Sequence, residues 1–289
     1  MLAMSSRVSA AILAAIVAAS MLVPQPAAVA QVPTVRLLGE QTIPHRTNFQ
    51  DTVVGGLSSI DHDPETGRYA LLSDDWSDYS PARYYTAAIE LDADGLHDVA
   101  LTDVTLLRRP DGQTYPTIQD WRVEQHGYPE GVRNAFGTVD PEELRIDPLT
   151  GDLAWTSEGQ RNVLSGGSPA DAEPVLLDPT IRPSTADTTP FLVLERDYVG
   201  DAGTSIRIVE VSTSRAADVL DRHSLADGDF RPVSKRPLVD LGEPGATIDD
   251  IEGITWGPAL PSGERTLLLV GGDDFSSAQS TRITALAVG

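Results

Sequence analysis

Beyond residue 30 the chain alternates short apolar runs with clusters of turn formers. Arg68-Tyr69-Ala70-Leu71-Leu72-Ser73, Tyr84-Tyr85-Thr86-Ala87-Ala88-Ile89-Glu90-Leu91, Phe191-Leu192-Val193-Leu194 and Thr266-Leu267-Leu268-Leu269-Val270 are examples. Each has strand length and is bounded by Gly, Pro, Asp or Asn, which predicts strands joined by tight turns. The best helical candidate, Ser212 to Leu220, is short. The pattern therefore predicts an all-β protein.

Three segments share one plan: an acidic or glycine-rich start, a strand, a turn, a second strand and an acidic end. The first runs from Gly55-Gly56-Leu57-Ser58 through Asp63-Pro64-Glu65-Thr66-Gly67 to Asp74-Asp75. The second runs from Asp140-Pro141-Glu142 through Asp147-Pro148-Leu149-Thr150-Gly151 to Glu158-Gly159. The third runs from Asp250-Ile251-Glu252-Gly253 through Ser262-Gly263 to Asp273-Asp274. Asp-Pro-x-Thr-Gly suits a hairpin turn, because Pro presets φ and Gly accepts a positive φ. Repeated four-stranded units of about 40–50 residues are the mark of a β-propeller, and a chain of this size fits roughly five to six blades. The wider spacing here requires diverged blades between the copies, and a β-sandwich with long loops is the alternative. Asn162 to Pro190, rich in Pro, Asp, Ser and Thr, reads as a long surface connection or a partial blade carrying one apolar run, Val175-Leu176-Leu177.

The first 30 residues differ from the rest. Arg7 precedes an apolar run reaching Val23, then come Pro24, Pro26 and the small residues Ala28-Val29-Ala30. This is the layout of a cleaved signal peptide over 1–30, with the working domain at 31–289. No cysteine stands at the cleavage region for a lipid anchor, and no later stretch is apolar enough to span a bilayer. The expected location is secreted, periplasmic or in the cell envelope, with no stable membrane insertion after cleavage. The formal net charge is −22, which argues against nucleic acid and anionic lipid as partners. The absence of cysteine removes disulfides, thiolate nucleophiles and Cys-based zinc sites.

Several motifs, taken in order, carry a resemblance. They are Gly55-Gly56-Leu57-Ser58 with Asp61 and Asp63-Pro64, Ser73-Asp74-Asp75, and Pro81-Ala82-Arg83-Tyr84-Tyr85. Further along stand Asp140-Pro141-Glu142, Trp155-Thr156-Ser157-Glu158-Gly159, Leu192-Val193-Leu194-Glu195-Arg196, Asp250-Ile251-Glu252-Gly253-Ile254 and Gly272-Asp273-Asp274-Phe275. From about Leu37 to the C-terminus the chain resembles the phytase-like family, the "esterase-like activity of phytase" proteins. The resemblance implies an exported, propeller-like domain with an esterase or phosphoesterase role. One departure stands out. The family usually carries another Glu-Gly-Leu segment and further strands between the Ser-Glu-Gly and Leu-Glu-Arg motifs, where this chain has only Gln160 to Pro190.

In a propeller, loops at one face gather residues from distant blades. The acids at the matched ends, Asp74, Glu142, Glu158, Glu195, Glu252 and Asp273, are the predicted metal ligands, with Asp75 and Asp274 beside them. Such a set of hard oxygen donors suits Ca²⁺ better than zinc. Arg83 and Arg196, with Arg133 and Arg161 nearby, are candidates to hold phosphate. The expected activity is divalent-cation-assisted hydrolysis of phosphate or related esters, with a small-molecule ester substrate or an envelope ligand as the expected partner. The alternatives are a non-catalytic cation- or ligand-binding propeller of the cell envelope and a metal-independent carboxylesterase. The carboxylesterase lacks a Gly-x-Ser-x-Gly elbow and leaves Ser58 as the nearest candidate nucleophile. For any single acid, a turn cap or a solvated surface position is the competing role. His62 is the histidine closest to a motif, and Gln125-His126-Gly127 lacks the Arg of a histidine-phosphatase signature.

Overall fold

The computed structural model describes residues 33–109, 111–120, 138–147, 150–157, 191–198, 204–219, 221–226, 228–242 and 250–289. In chain order the strands are β1 (Val35–Ile43), β2 (Asn48–Phe49), β3 (Thr52–Val53), β4 (Leu57–Asp63), β5 (Arg68–Ser73), β6 (Arg83–Leu91), β7 (Leu96–Leu106) and β8 (Pro141–Ile146). They continue as β9 (Leu153–Ser157), β10 (Phe191–Tyr198), β11 (Thr204–Ser212), β12 (Ser234–Asp240), β13 (Ile251–Ala259), β14 (Arg265–Gly271) and β15 (Thr281–Val288). All pairings between them are antiparallel.

Strands β4 to β7 form a four-stranded meander, and β13, β14 and β15 form another whose outer edge is completed by β1 from the start of the domain. Strands β10 to β12 make a three-stranded sheet, and β8 with β9 a two-stranded one. The continuous apolar runs follow from burial on both faces. In β5, Tyr69 and Leu71 belong to the core against the β13–β15 sheet, while Ala70 and Leu72 pack with Leu144 of β8. In β14, Leu268 and Val270 face the β4–β7 side, while Leu267 and Leu269 meet Ile206, Ile208 and Val239 of the β10–β12 sheet. Successive side chains point to opposite faces of a strand. A strand sandwiched between two sheets must therefore be apolar throughout. Among the described residues four sheets stack in this way, apart from the short β2–β3 pair, and the chain is all-β and propeller-like rather than a two-sheet sandwich.

The three repeated segments are the first two strands of three of these sheets. The turns behave as their sequences require: Gly67 (φ 67°) and Gly151 (φ 73°) each donate an N–H 2.8 Å to the carbonyl four residues earlier, of Asp63 and Asp147. Ser212 closes β11, and 213–219 follow as a turn and irregular chain, in keeping with an all-β protein. The Ala217 N–H leaves the local segment to donate to the Arg231 carbonyl, 2.9 Å away. A short helix cannot form once its backbone donors are taken elsewhere. Asn162 to Pro190 lies outside the described residues, as do residues 1–30.

Strands β4, β8 and β13 lie side by side. Ser59 Oγ accepts from the Leu144 N–H (3.0 Å), and Asp61 accepts from the Ile146 N–H (2.8 Å) on one side and the Thr255 hydroxyl (2.9 Å) on the other. At Gly253 a Cβ would stand 2.9 Å from the Ile60 nitrogen and 2.4 Å from a Val270 methyl, so only glycine lets β13 approach β4 this closely.

Candidate metal centre

Hairpin register decides where the acids go. Leu57 pairs with Ser73, Pro141 with Ser157 and Ile251 with Gly271. The entrance of each first strand and the exit of each second strand thus share one end of the structure. Asp140 with Glu142, and Asp250 with Glu252, are two residues apart, so the extended backbone turns both carboxylates of each pair to one side.

Two acidic triads result. One carboxylate oxygen from each of Asp74, Asp140 and Glu142 lies within 4.8 Å of the others, and the same holds for Asp250, Glu252 and Asp274. The triads are electrostatically joined through Asp74. Its carboxyl is pushed up to about 9, by burial first, then by the charge of Glu142, a hydrogen bond with Asp140 and the charges of Asp140 and Glu252. Oδ1 of Asp74 is buried and has no hydrogen-bond partner among the described residues. A positive charge already reaches the second triad: the Arg196 guanidinium pairs with Asp250 and, at 3.2 Å, with Glu252.

The predicted site residues divide. Asp74, Glu142 and Glu252 belong to the triads, with Arg196 beside them. Asp273 does not: it is fully buried, its Oδ1 accepts the N–H groups of Gly56 and Phe275 (both 3.1 Å), and its Oδ2 lies 2.6 Å from His45 Nδ1. Both oxygens are committed to holding the loop. Glu195 pairs with Lys235 and points away from its neighbour Arg196, since adjacent strand residues face opposite sides. Arg83 is wholly buried, donating to Asp75 (2.5 Å), Tyr85 (2.6 Å) and the Pro81 and Val53 carbonyls. A guanidinium engaged in this way inside the core presents nothing to a phosphate. Glu158, Arg133 and Arg161 lie outside the described residues.

Reading the motifs alone passed over Asp140 and Asp250, although the repeated Asp-x-Glu at two strand entrances was a usable signal. The two Asp-Asp pairs are also one residue out of step. Asp75 and Asp273 are the equivalent caps: their carbonyls accept the N–H three residues on, from Asp78 (2.8 Å) and Ser276 (2.6 Å). Each cap is followed by two residues of positive φ, Trp76 and Ser77 in one loop, Asp274 and Phe275 in the other. Asp74 thus joins its triad from before its cap, and Asp274 from after.

Ser58 is buried, and its hydroxyl donates to the Glu142 carbonyl at 2.8 Å. His62 stacks on Tyr69 (ring centroids 4.7 Å apart) at the far end of β4, and burial lowers its basicity. These two therefore do not form a nucleophile–base pair. Asp74 and Asp274, one from each triad, both line a cavity of about 180 Å³ walled by Trp76, Tyr79 and Phe275. The Tyr79 and Phe275 rings are stacked, 4.1 Å between centroids.

The phytase-like family, described as having the esterase-like activity of phytase, matches residues 52–186 and 183–275. The chain belongs to this family. The matched span covers both triads and their loops, and the two matched segments meet inside Gln160–Pro190. No curated protein matches the chain significantly. The phytase-like identity points to hydrolysis of phosphate esters; calcium is often bound in the family, and this chain carries two acidic clusters. Among the described residues no helix is long and apolar enough to cross a membrane.

Proposed function

We propose that this phytase-like protein is an exported hydrolase of phosphate or related esters, assisted by a divalent cation, with Ca²⁺ the best-suited ion. The observation that carries the reading is the meeting of Asp74, Asp140 and Glu142, from two different sheets, within 4.8 Å. Acids crowded until one of them retains a proton to about pH 9 are a costly arrangement unless a cation neutralises them. The donors are all carboxylate oxygens, which match a hard ion. Asp74, Asp140 and Glu142 would hold it, with Glu252 adding negative charge nearby. Bound there, Ca²⁺ would polarise a phosphate ester and offset the charge developing on it. The chain's own residues bind and orient: Arg196, anchored on Asp250 and Glu252, brings a guanidinium whose remaining donors suit phosphate oxygens. The cavity beside Asp74 gives the rest of the substrate a sheltered wall. The signal-peptide layout of residues 1–30 supports export, and the net negative charge supports a small ester over nucleic acid as partner.

The test is turnover of p-nitrophenyl phosphate before and after exhaustive chelation, with Ca²⁺ added back. Activity that survives chelation rules out the cation's role. A second reading, a non-catalytic cation-binding propeller of the envelope, draws on the ion pairs by which Arg196 already balances the second triad. It predicts stabilisation by Ca²⁺ with no turnover of any ester. The metal-independent carboxylesterase has no support from the position of Ser58.

A further inference from the structure

We propose that Arg46 is a substrate-recognition residue. Its guanidinium would bind an anionic substituent, carboxylate or phosphate, on the alcohol part of an ester whose reacting group lies at the acidic centre. The inference rests on the cation-assisted hydrolase reading.

Three observations lead there. The Arg46 guanidinium lies over the Tyr79 ring, 4.7 Å from its centroid, and Nη2 donates to the Tyr79 hydroxyl at 2.8 Å. Tyr79 in turn stacks on Phe275, next to Asp274 of the second triad, and both rings wall the cavity that Asp74 and Asp274 line. Arg46 therefore adjoins the cavity through Tyr79, one of the residues that wall it.

The second point is charge. Arg36, Arg109, Arg145, Arg196 and Arg236 are each paired with a carboxylate. Arg46 is exposed and, like Arg265 over Trp256, lies on an aromatic ring with no such pair among the described residues; of the two, Arg46 adjoins the acidic cavity. In a chain of formal net charge −22, an arginine held by an aromatic ring instead of an acid keeps its charge for an incoming anion.

The third point is order. A guanidinium already fixed by stacking and one hydrogen bond loses little rotamer freedom when it binds, and its other donors remain to form a fork. Phe275 owes its own place to Gly55, where a Cβ would come 2.6 Å from the ring, so the stack is anchored to the strand entrance that also positions Asp74. An acidic cavity repels a bare anion. A ligand must therefore span from a neutralised centre to a positive charge beside the cavity, and Arg46 supplies that charge.

The experiment uses the Ca²⁺-loaded protein at fixed ionic strength, with calorimetry of two non-hydrolysable probes. Hexane-1,6-bisphosphonate can span the stack, and methylphosphonate cannot. The bisphosphonate is expected to bind at least about tenfold more tightly, the scale of one charge-assisted hydrogen bond. Arg46→Gln should remove that advantage and leave methylphosphonate affinity unchanged. Arg46→Lys should restore it only in part, because the planar fork is lost, and Tyr79→Leu should weaken it by releasing the guanidinium. Bisphosphonate binding no tighter than that of methylphosphonate, a preference that survives Arg46→Gln, or an equal loss for both probes would overturn the proposal. Failure of both probes to bind, or failure to hydrolyse p-nitrophenyl phosphate, would count against the cation-assisted hydrolase reading and not against the role of Arg46.

Discussion

Nη1 of Arg83 lies 2.5 Å from Oδ2 of Asp75, and neither side chain is exposed. Burial raises the Asp75 carboxyl against the pull of the guanidinium. Asp75 also takes the Ser80 N–H at 3.1 Å, so the pair fixes the loop that carries Asp74 and Trp76. Arg83→Met should destabilise the protein by about 3–5 kcal/mol, because it strands a buried carboxylate. Urea denaturation checks this; a loss below about 1 kcal/mol would mean that Asp75 takes up a proton at little cost.

Asp74→Asn and Glu142→Gln act on the first triad directly. In wild-type protein, Ca²⁺ at about 100 times its Kd should add about 2.7 kcal/mol of stability. Either variant should abolish most of that gain. Asp74→Asn should also raise the melting temperature of the cation-free protein by removing a repelled acid. Calorimetric scans with chelator and with Ca²⁺ separate the two effects.

The Asp74 carboxyl gives the cation-free protein a definite pH dependence. Its folded value is about 9, against about 3.9 for an unfolded aspartate. Between those values the folded state holds the proton more tightly, so stability falls as pH rises. With chelator present, the melting temperature should decline from pH 5 to pH 9. Added Ca²⁺ should raise it most at the alkaline end, and Asp74→Asn should flatten the decline.

Ser58→Ala removes a hydroxyl that donates to the Glu142 carbonyl at 2.8 Å. The expected cost is about 1 kcal/mol of stability, with ester turnover retained. Complete loss of turnover in a correctly folded variant would instead make Ser58 a nucleophile.

Gly56 has φ 53°, and a Cβ there would stand 2.1 Å from the Asp74 carbonyl oxygen. Gly56→Ala should cost more than about 1 kcal/mol. It should also weaken Ca²⁺ binding, because the displaced backbone is that of Asp74 itself.

Much of the architecture was readable along the chain. Runs such as Thr266 to Val270, apolar on both faces, required burial between two sheets, and the Asp63-Pro64-Glu65-Thr66-Gly67 turn required a hairpin. Glu142 and Glu252 were found because they recur at the same point of a repeat. Arg83 and Asp273 carry the same motif signals and yet are structural. A motif records the residue type at a position but does not reveal whether a neighbour has already claimed its polar atoms.

Local order along the chain determined the strands, their turns and the shared end to which the acids are delivered, because the pleat period and turn chemistry act between near neighbours. Only the tertiary structure decided that Asp140 and Asp250 join the triads, that Arg83 lies in the core, and that Arg46 rests on Tyr79 beside the cavity. Those outcomes depend on which sheets stack against each other, and burial and charge pairing are properties of residues brought together from as far apart as Asp74 and Glu252.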